Sequence, residues 1–552
     1  HGIQNLLIEG FSVSKSNYLF FLLPLVGIVL TVVYKVFFNK GKLGGGIPNL
    51  LYTIYKKSSL VHKDKMYSQL ISSGITVGFG GSVGLEAPIV STGAAFGSNL
   101  GRLFHVGYKK RTLLIGCGAA AAIGGIFGAP IAGVIFVLEV LLLELTIPAF
   151  IPLLISAVTG TLVSTIAYGE DVIFHFELTE SFHYTDTLFY ALLGILCGLV
   201  SFYFHRNIQV AKRIINQVNN HWARAIIGGL ALGILIFVFP PLYGEGYDAV
   251  KALLASDSGK LVDTSLFFKE YSNEWFILAF AIALILVKVF ASGFTMAAGG
   301  NGGVFAPTMF TGALTGFVLS KAINLLNLNF NLSEKNFVMV GMAGVASGLM
   351  HAPLTSIFLI AEVASGYELI IPLMIVSALS YATVRYFEKN SHYTHELAKK
   401  GQILFHDKDK TVLNILKLEK LVETEFTAVD VNGTLRDITE AVSNSKRNIY
   451  PVLGANQKYY GVVALDDIRQ LMFKQEALDT VTVKDIMHRP QHYVTYGETM
   501  EDVMKKFEES GYWNLPVLEG EKYIGFLSKS KIFGHYRNLL KKETRTDTNI
   551  ID

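Results

Sequence analysis

Charge and cysteine are both scarce in this chain of 552 residues, and each scarcity excludes a class of protein. Asp, Glu, Lys and Arg make up 16% of the residues, against about a quarter in a typical soluble protein. The net charge of +3 argues against a nucleic-acid partner, which a strongly basic surface would favour. Cys117 and Cys197 both lie in apolar stretches without metal-ligand or redox spacing, so no disulfide framework is expected.

The charged residues are also unevenly distributed, because they are concentrated after about residue 400. Uncharged runs recur upstream, and several have the roughly 20 residues that a helix needs to cross hydrocarbon. These runs are 16–34, 112–138, 145–169, 187–205, 225–244, 289–320 and 336–361. Glycine and proline interrupt some of them, which is typical of transporters and channels with broken helices. We therefore predict a polytopic α-helical membrane domain over 1–400 and a soluble domain over 401–552.

An internal repeat runs through the membrane region. Each copy contains an Ala-Pro dipeptide followed, nine residues after the proline, by a glutamate: Glu139 in the first copy and Glu362 in the second. A glycine-rich segment that also ends in Ala-Pro lies upstream of each, at 84–88 and 303–307. Paired segments interrupted by glycine and proline indicate a transport site between two repeats. The match alone leaves open whether the repeats are inverted in the membrane.

Three glycine-rich segments introduce helix starts into the apolar region. They read GGGIP at 44–48, GLEAP at 84–88 and GGVFAP at 302–307. The free N–H groups and the positive dipole end of a helix start favour an anion. Such a site attracts the ion without a full Lys or Arg charge, so the ion can also leave. A single segment of this kind could be a simple helix-breaking turn, but three together favour an anion pathway.

Glu86 is the only charged residue between Met66 and Leu100. A carboxylate within a membrane domain indicates a functional site by default. Ionised, Glu86 would compete with a permeant anion for the helix-start amides, whereas protonation would remove that competition. The alternative is a solvated glutamate that caps its own helix.

These segments resemble the three signature motifs of the CLC family of chloride channels and transporters, written GSGIP, GREGP and GxFxP. The resemblance extends over nearly the whole chain. It implies an inverted repeat with broken helices in a lipid bilayer and chloride as the transported ligand. It also implies a homodimer with one pore in each subunit. The C-terminal domain resembles a pair of cystathionine-β-synthase (CBS) domains, which implies a small cytoplasmic α/β domain.

The resemblance assigns roles to individual residues. Glu86 matches the gating glutamate of the family. The positions assigned to anion binding are Gly45, Gly46, Ile47, Val304, Phe305 and Tyr393. Val304 and Phe305 would offer backbone amides to the central chloride, and Tyr393 would offer its hydroxyl. For Tyr393 the alternative is an aromatic anchor at the membrane interface.

The sequence departs from the family pattern in three places. Gly45 lies where many members have a serine, so the selectivity among chloride, nitrate, bromide and fluoride stays open. Leu85 and Ala87 replace the Arg and Gly of the second motif, which removes a positive charge. One long helix precedes the first motif where the family has two, so we expect a further helix N-terminal to this sequence.

Val140 lies where family exchangers carry a second, internal proton-transferring glutamate. Valine cannot carry a proton, and the neighbouring Glu139 is turned about 100° around the helix. The position of Glu362 in the other repeat suggests a structural role for both glutamates. We therefore predict passive anion conduction gated by voltage or pH, with a proton-coupled antiporter as the alternative.

The C-terminal domain contains two similar units, at about 411–474 and 480–540. Each has a Thr-initiated helix followed, seventeen residues after the threonine, by a Pro-Val-Leu strand. Related pairs often bind adenine nucleotides through a Ser or Thr and an Asp. Here Asp467 and Ser528 are present but Ala464 and Lys531 replace their partners, so any ATP or AMP binding should be weak. A dimerising module without ligand is the alternative.

Other functions have less support. Fluoride exporters of the family usually depart from the chloride pattern at the third motif and lack the tyrosine. A CBS-bearing divalent-cation transporter would need several acidic residues converging at membrane depth, and only Glu86, Glu139, Glu144 and Glu362 are available there. An enzyme is not expected, since no metal-ligand cluster, nucleophile–base pair or phosphate loop with its lysine is visible. We expect no metal and no cofactor.

Overall fold

A computed structural model describes residues 18–38, 46–56, 59–141, 147–169, 182–263, 265, 267–268, 273–326, 330–399, 418–535 and 537. The chain divides into two compact units, His1–Gln402 and Ile403–Asp552. Gly45, Glu144 and the predicted domain boundary at residues 400–401 lie outside the described residues. The two units are described separately below.

The named secondary-structure elements in the described part of the first unit are all helices. Its α-helices are α1 (Tyr18–Phe37), α2 (Gly46–Lys56), α3 (Lys65–Gly78), α4 (Glu86–Leu103), α5 (Tyr108–Phe127), α6 (Pro130–Glu139), α7 (Ile147–Tyr168), α8 (Thr187–Asn216), α9 (His221–Val238), α10 (Tyr247–Leu254), α11 (Lys260–Asp263), α12 (Glu274–Ala297), α13 (Phe305–Leu325), α14 (Glu334–Met350), α15 (Pro353–Val363), α16 (Ile370–Phe387) and α17 (His392–Lys399). Six of the described helical segments are long and apolar enough to cross a membrane: Tyr108–Phe127, Ala149–Ala167, Tyr184–Asn216, His221–Val238, Glu274–Ala297 and Ile370–Ala398. The predicted polytopic helical architecture is confirmed.

Close helix crossings occur at equivalent places in the two repeats. In the first repeat, a Cβ added to Gly93 of α4 would lie 2.2 Å from the carbonyl oxygen of Gly118 in α5. In the second, a Cβ added to Gly312 of α13 would lie 2.4 Å from the carbonyl oxygen of Gly341 in α14. Small residues let membrane helices approach this closely. These crossings pack α4 on α5 and α13 on α14, and so support the two helix starts of the site.

The two repeat glutamates cap each other's helices. Glu139, at the end of α6, accepts a hydrogen bond of 2.7 Å from the backbone N–H of Thr355 at the start of α15. Glu362, near the end of α15, accepts hydrogen bonds from the N–H groups of Ile131 (3.0 Å) and Ala132 (2.8 Å) at the start of α6. Carboxylates at helix starts satisfy amides that lack a partner within the helix. The reciprocal contacts make α6 and α15 antiparallel, as an inverted repeat requires, and give both glutamates the structural role expected for them.

The second unit contains two three-stranded sheets of the same topology. Its elements are β1 (Val429–Asp430), α18 (Leu435–Ser443), β2 (Ile449–Leu453), β3 (Tyr459–Ala464), α19 (Leu465–Ile468), α20 (Val483–Ile486), β4 (Val494–Thr495), α21 (Met500–Ser510), β5 (Asn514–Glu519) and β6 (Lys522–Ser528). The sheets have the orders β1-β2-β3 and β4-β5-β6, each with one parallel and one antiparallel pair. Equivalent register irregularities fall after Val452 and Val517. The predicted tandem α/β repeat is confirmed.

The two sheet units pack against each other within this domain. The rings of Tyr459 and Tyr523 stack with centroids 6.0 Å apart, and the N–H of Tyr459 donates to the carbonyl oxygen of Glu521 (3.0 Å). Phe526 is fully buried in the same apolar cluster. Because each sheet alone has few strands, this shared aromatic core contributes to the stability of both.

Candidate anion site

The second and third motifs form a two-residue bridge between the repeats. The N–H of Gly84 donates to the carbonyl oxygen of Gly303 (2.9 Å), and the N–H of Gly303 donates to that of Gly84 (2.7 Å). A Cβ on Gly303 would lie 2.8 Å from the Cβ of Ala87, so a larger residue would push the loops apart. The bridge brings together the N-termini of α4 and α13, one from each repeat, and their positive dipole ends with them.

A cavity of about 460 Å³ lies where these helix starts meet. The sequence-predicted residues that line it are Gly46, Ile47, Val304 and Tyr393, together with Ala87 of the second motif. Phe305 begins α13 but is buried and packs its ring against Phe127, with centroids 5.6 Å apart. The hydroxyl of Tyr393 lies 3.6 Å from the sulfur of Met350. Described residues of the three predicted segments therefore converge with Tyr393 on one cavity.

Basic side chains line the same cavity and were not singled out from the sequence. They are Lys35, Lys212, His221 and Arg224. Lys212 forms an ion pair of 3.1 Å with Glu396, another lining residue. Arg224 donates two hydrogen bonds to the carbonyl oxygen of Val218 (3.1 and 2.9 Å). A cavity whose walls carry an excess of positive charge concentrates anions near the helix starts.

Glu86 is the first residue of α4 and only 3% of its surface is exposed. Its carboxylate accepts a hydrogen bond from the hydroxyl of Tyr247. The other carboxylate oxygen, Oε2, has no hydrogen-bond partner among the described residues, and the backbone N–H groups of Glu86 itself and of Ala306 lie near enough to stabilise the carboxylate electrostatically. Ala306 lies in the first turn of α13, so the Glu86 carboxylate lies beside amides at a helix start, where an anion is favoured.

A short loop at 242–247 fixes this arrangement from one side. Glu245 accepts a hydrogen bond of 3.0 Å from the N–H of Leu85, one residue before Glu86. Lys288 of α12 has no exposed surface, and its ammonium group donates to the carbonyl oxygens of Leu242 (3.4 Å) and Gly244 (3.2 Å). Glu245 and Tyr247 thus connect this loop by hydrogen bonds to Leu85 and Glu86. Lys288 in turn fixes the loop by donating to two of its carbonyl oxygens.

Sequence reasoning missed Glu245, Tyr247 and Lys288. Lys288 did carry a signal, since it is a lone cation between the apolar runs 275–287 and 289–320, and an ionisable residue within a membrane helix indicates function or a buried partner. Tyr247 carried none, because an aromatic residue in a glycine-rich loop has many structural explanations.

Val140 follows the end of α6 and is 5% exposed, with its N–H bonded to the carbonyl oxygen of Phe136 (2.8 Å). The adjacent Glu139 carboxylate is engaged by the start of α15, through Thr355 and Leu354. The position assigned to the proton-transferring glutamate is therefore apolar here, and the neighbouring carboxylate already has structural partners.

The residues assigned to nucleotide binding also have local partners. The Asp467 carboxylate accepts a hydrogen bond from the N–H of Ala464 (2.8 Å) and lies 3.4 Å from a ring nitrogen of His488. The Ser528 hydroxyl accepts from the N–H of Lys531 (3.1 Å). Asp467 caps α19, a role that any binding of ATP or AMP would have to accommodate. Nucleotide binding stays a prediction.

Two antiparallel repeats join their helix starts over a cavity with basic walls, and a buried carboxylate lies beside these starts. These features define an anion-transport protein of the membrane. Comparison with known proteins identifies the family. The family model described as voltage gated chloride channel matches residues 26–385, and the CBS domain model matches residues 483–538. The chain belongs to the CLC family of voltage-gated chloride channels, and it carries a C-terminal CBS-pair domain.

Individual relatives agree with this assignment. A protein of Ralstonia nicotianae named as a ClcB-like chloride channel protein is 31% identical over 337 residues, which cover 59% of this chain and 73% of the relative. The crystal structure of a slow cyanobacterial Cl⁻/H⁺ antiporter shares 21% identity with a TM-score of 0.61, covering 72% of this chain and 91% of that one. A eukaryotic CLC transporter shares 17% identity with a TM-score of 0.59, covering 96% and 93%. At these identities, the structural likeness establishes the common fold.

Proposed function

We propose that this protein is a passive chloride channel in which Glu86 is the gate. The observation that carries the proposal is the place of the buried Glu86 carboxylate, which lies beside the N–H of Ala306 in the first turn of α13. Carboxylate and chloride are both anions, so they compete for the same helix-start amides. With the carboxylate bound the path is closed, and with the carboxylate displaced or protonated the amides are free for the permeant ion.

The surrounding contacts support a gate with a defined closed position. Tyr247 holds one carboxylate oxygen by a hydrogen bond, and Glu245 holds the N–H of the residue before the gate. The cavity on the other side is lined by Val304, Tyr393 and basic side chains. A chloride ion that enters the cavity would add to the competition for the amides, so flow should depend on chloride concentration as well as on voltage and pH.

The choice of a channel over an exchanger rests on Val140. Stoichiometric proton exchange needs two titratable stations, because a single carboxylate cannot pass a proton through apolar packing. Glu86 would serve as one station, while the position expected for the other is an apolar valine whose neighbour Glu139 caps α15. The alternative is proton-coupled chloride antiport, which the cyanobacterial relative carries out.

Liposomes that contain the purified protein distinguish the two functions. They are loaded with chloride, held at zero pH gradient, and monitored for chloride efflux and for the pH of the lumen. We expect chloride efflux without uphill proton movement. Steady proton pumping that Glu86→Ala abolishes would instead establish the antiporter. Repeating the efflux with nitrate, bromide and fluoride would measure the selectivity that Gly45 leaves open.

We further propose that the protein is a homodimer with one pore in each subunit, as the family resemblance implies. Mass measurement in detergent should give two chains per particle. Single-channel recordings of dimers that pair wild-type with Glu86→Ala subunits should show two independent conductances, and one shared conductance would contradict the proposal.

A further inference from the structure

Three side chains from separate parts of the first unit form a cluster away from the Glu86 gate. His205 lies on α8, Glu388 directly follows α16, and His395 lies on α17. The Nε2 atom of His205 is 3.9 Å from one Glu388 carboxylate oxygen, and the Nδ1 atom of His395 is 3.4 Å from the other. One ligand atom from each of the three residues lies within 4.8 Å of the other two. No local sequence pattern indicates this cluster, because His205 and Glu388 are far apart along the chain.

The donor set matches a transition-metal site. Two imidazole nitrogens and one carboxylate oxygen are ligands that Zn²⁺ favours, with a fourth position left for water or another group. Ligand atoms at about 2.1 Å from a tetrahedral ion lie about 3.4 Å from one another. The observed separations of 3.4 Å, 3.9 Å and at most 4.8 Å would close onto an ion through side-chain shifts of about 1 Å.

The cluster is buried on one side and partly exposed on the other. His205 is 4% exposed, whereas the side chains of Glu388 and His395 retain 24% and 19% of their exposure. An ion could therefore reach the site from the Glu388 side while His205 forms its closed wall. Lys212, a cationic side chain on the same helix, is paired with Glu396 at 3.1 Å, which lessens its repulsion of a metal ion.

The chain segment between Glu388 and His395 contains one residue of the candidate anion site. Tyr393 lies between Glu388 and His395 in the chain and lines the cavity at the helix starts. Its neighbour His392 packs against His205, with ring centroids 5.7 Å apart. A metal ion held by His205, Glu388 and His395 would join α8 to both ends of this segment and so limit the movement of Tyr393.

We propose that His205, Glu388 and His395 bind a divalent transition-metal ion, with Zn²⁺ as the reference ion, and that the bound ion immobilises the 388–395 segment that carries Tyr393. The metal site itself stands independently of the gating mechanism. Its effect on anion flow rests on the proposed function, because it acts through Tyr393.

Zinc titration of the full-length protein in detergent tests the site. We expect one ion per chain, and at least a tenfold loss of affinity in His395→Gln and in Glu388→Gln, since each removes one of three protein ligands. His395→Cys should restore binding, because a thiolate is also a zinc ligand. The matched control is His62→Gln, which alters the His62–Asp64 pair, to which the described part of the chain brings no third ligand. X-ray absorption should show two imidazoles and a carboxylate on the ion.

Amide hydrogen exchange tests the second part of the proposal. Zinc should slow exchange over residues 388–399 in the wild-type protein and in Glu86→Gln, but not in His395→Gln. Chloride efflux from liposomes should fall several-fold with zinc in the wild type and be unaffected in His395→Gln.

Equal zinc binding by the wild type and by folded His395→Gln, with metal-free melting temperatures that agree, would overturn the site. Zinc binding without slower exchange would overturn the immobilisation. Normal zinc binding together with Glu86 variants whose chloride flux keeps the pH dependence of the wild type would refute the gate alone.

Discussion

The starts of α4 and α13 have the same backbone design but differ in one side chain. Gly84, Glu86 and Pro88 correspond to Gly303, Phe305 and Pro307 in the two motifs. The two glycines pair with each other through reciprocal hydrogen bonds of 2.9 and 2.7 Å. Where the first repeat places a carboxylate, the second places a buried phenyl ring against Phe127. The inverted repeat thus supplies two equivalent helix starts, and the difference between Glu86 and Phe305 assigns them different functions.

The residues around the two helix starts also differ. The N–H of Leu85 is occupied by the Glu245 carboxylate at 3.0 Å, whereas its counterpart Val304 lines the cavity. The first helix start is therefore held by protein carboxylates and the second faces the space that an ion could enter. In the mechanism that we propose, symmetric architecture with asymmetric side chains lets one half of the protein gate the anion site of the other half.

The largest expected effect comes from removing the carboxylate that distinguishes the two starts. Glu86→Ala should raise chloride flux at neutral pH about tenfold or more and abolish its pH dependence, because no ionisable group then competes for the amide of Ala306. Glu86→Gln should also remove the pH dependence. Phe305→Leu, at the equivalent position, is the matched control and should keep it. Flux measured in liposomes from pH 5 to pH 8 is the readout. Unchanged pH dependence in both Glu86 variants would refute the gate.

A smaller effect is expected from the hydroxyl that holds the gate. Tyr247→Phe removes the hydrogen bond to the Glu86 carboxylate and keeps the ring that packs in the loop. A hydrogen bond to a charged group contributes about 1.5–3 kcal/mol, so the closed position should weaken and flux at neutral pH should rise several-fold. The pH dependence should persist, because Glu86 is still present. Tyr243→Phe, in the same loop, provides the control. Flux that falls in Tyr247→Phe would show that the hydroxyl favours the open path instead.

The smallest effect concerns the pair of glutamates that the repeats share. Glu139→Gln and Glu362→Gln each weaken the cap on the opposite helix, and each should destabilise the protein by about 1–2 kcal/mol. Because the contacts are reciprocal, the two losses should be similar, and neither should change the pH dependence of flux. Thermal melting in detergent measures the loss of stability, and liposome efflux measures the pH dependence of flux. A selective loss of proton movement in Glu139→Gln would assign that carboxylate a transport function.

The sequence predicted the helix starts because glycine, proline and an isolated charge are strong local signals. It predicted the equivalence of Glu139 and Glu362 from their spacing, and the caps confirm it. It did not predict the hydrogen bond between Tyr247 and Glu86 or the hold of Lys288 on the 242–247 loop. Those contacts depend on how distant segments pack, which no local pattern encodes. The bridge between Gly84 and Gly303 is of the same kind, although the repeat suggested that these two glycines are equivalent.

Chloride binding at equilibrium tests most directly whether Glu86 and the anion compete for the start of α13. Isothermal titration of the detergent-solubilised protein with chloride at pH 7.5 should show tighter binding to Glu86→Gln than to the wild type, by about tenfold. Lowering the pH should strengthen binding to the wild type and leave Glu86→Gln unchanged. Glu139→Gln, the structural glutamate, should bind chloride as the wild type does. Equal affinities of the wild type and Glu86→Gln at every pH would contradict the competition and, with it, the gating mechanism.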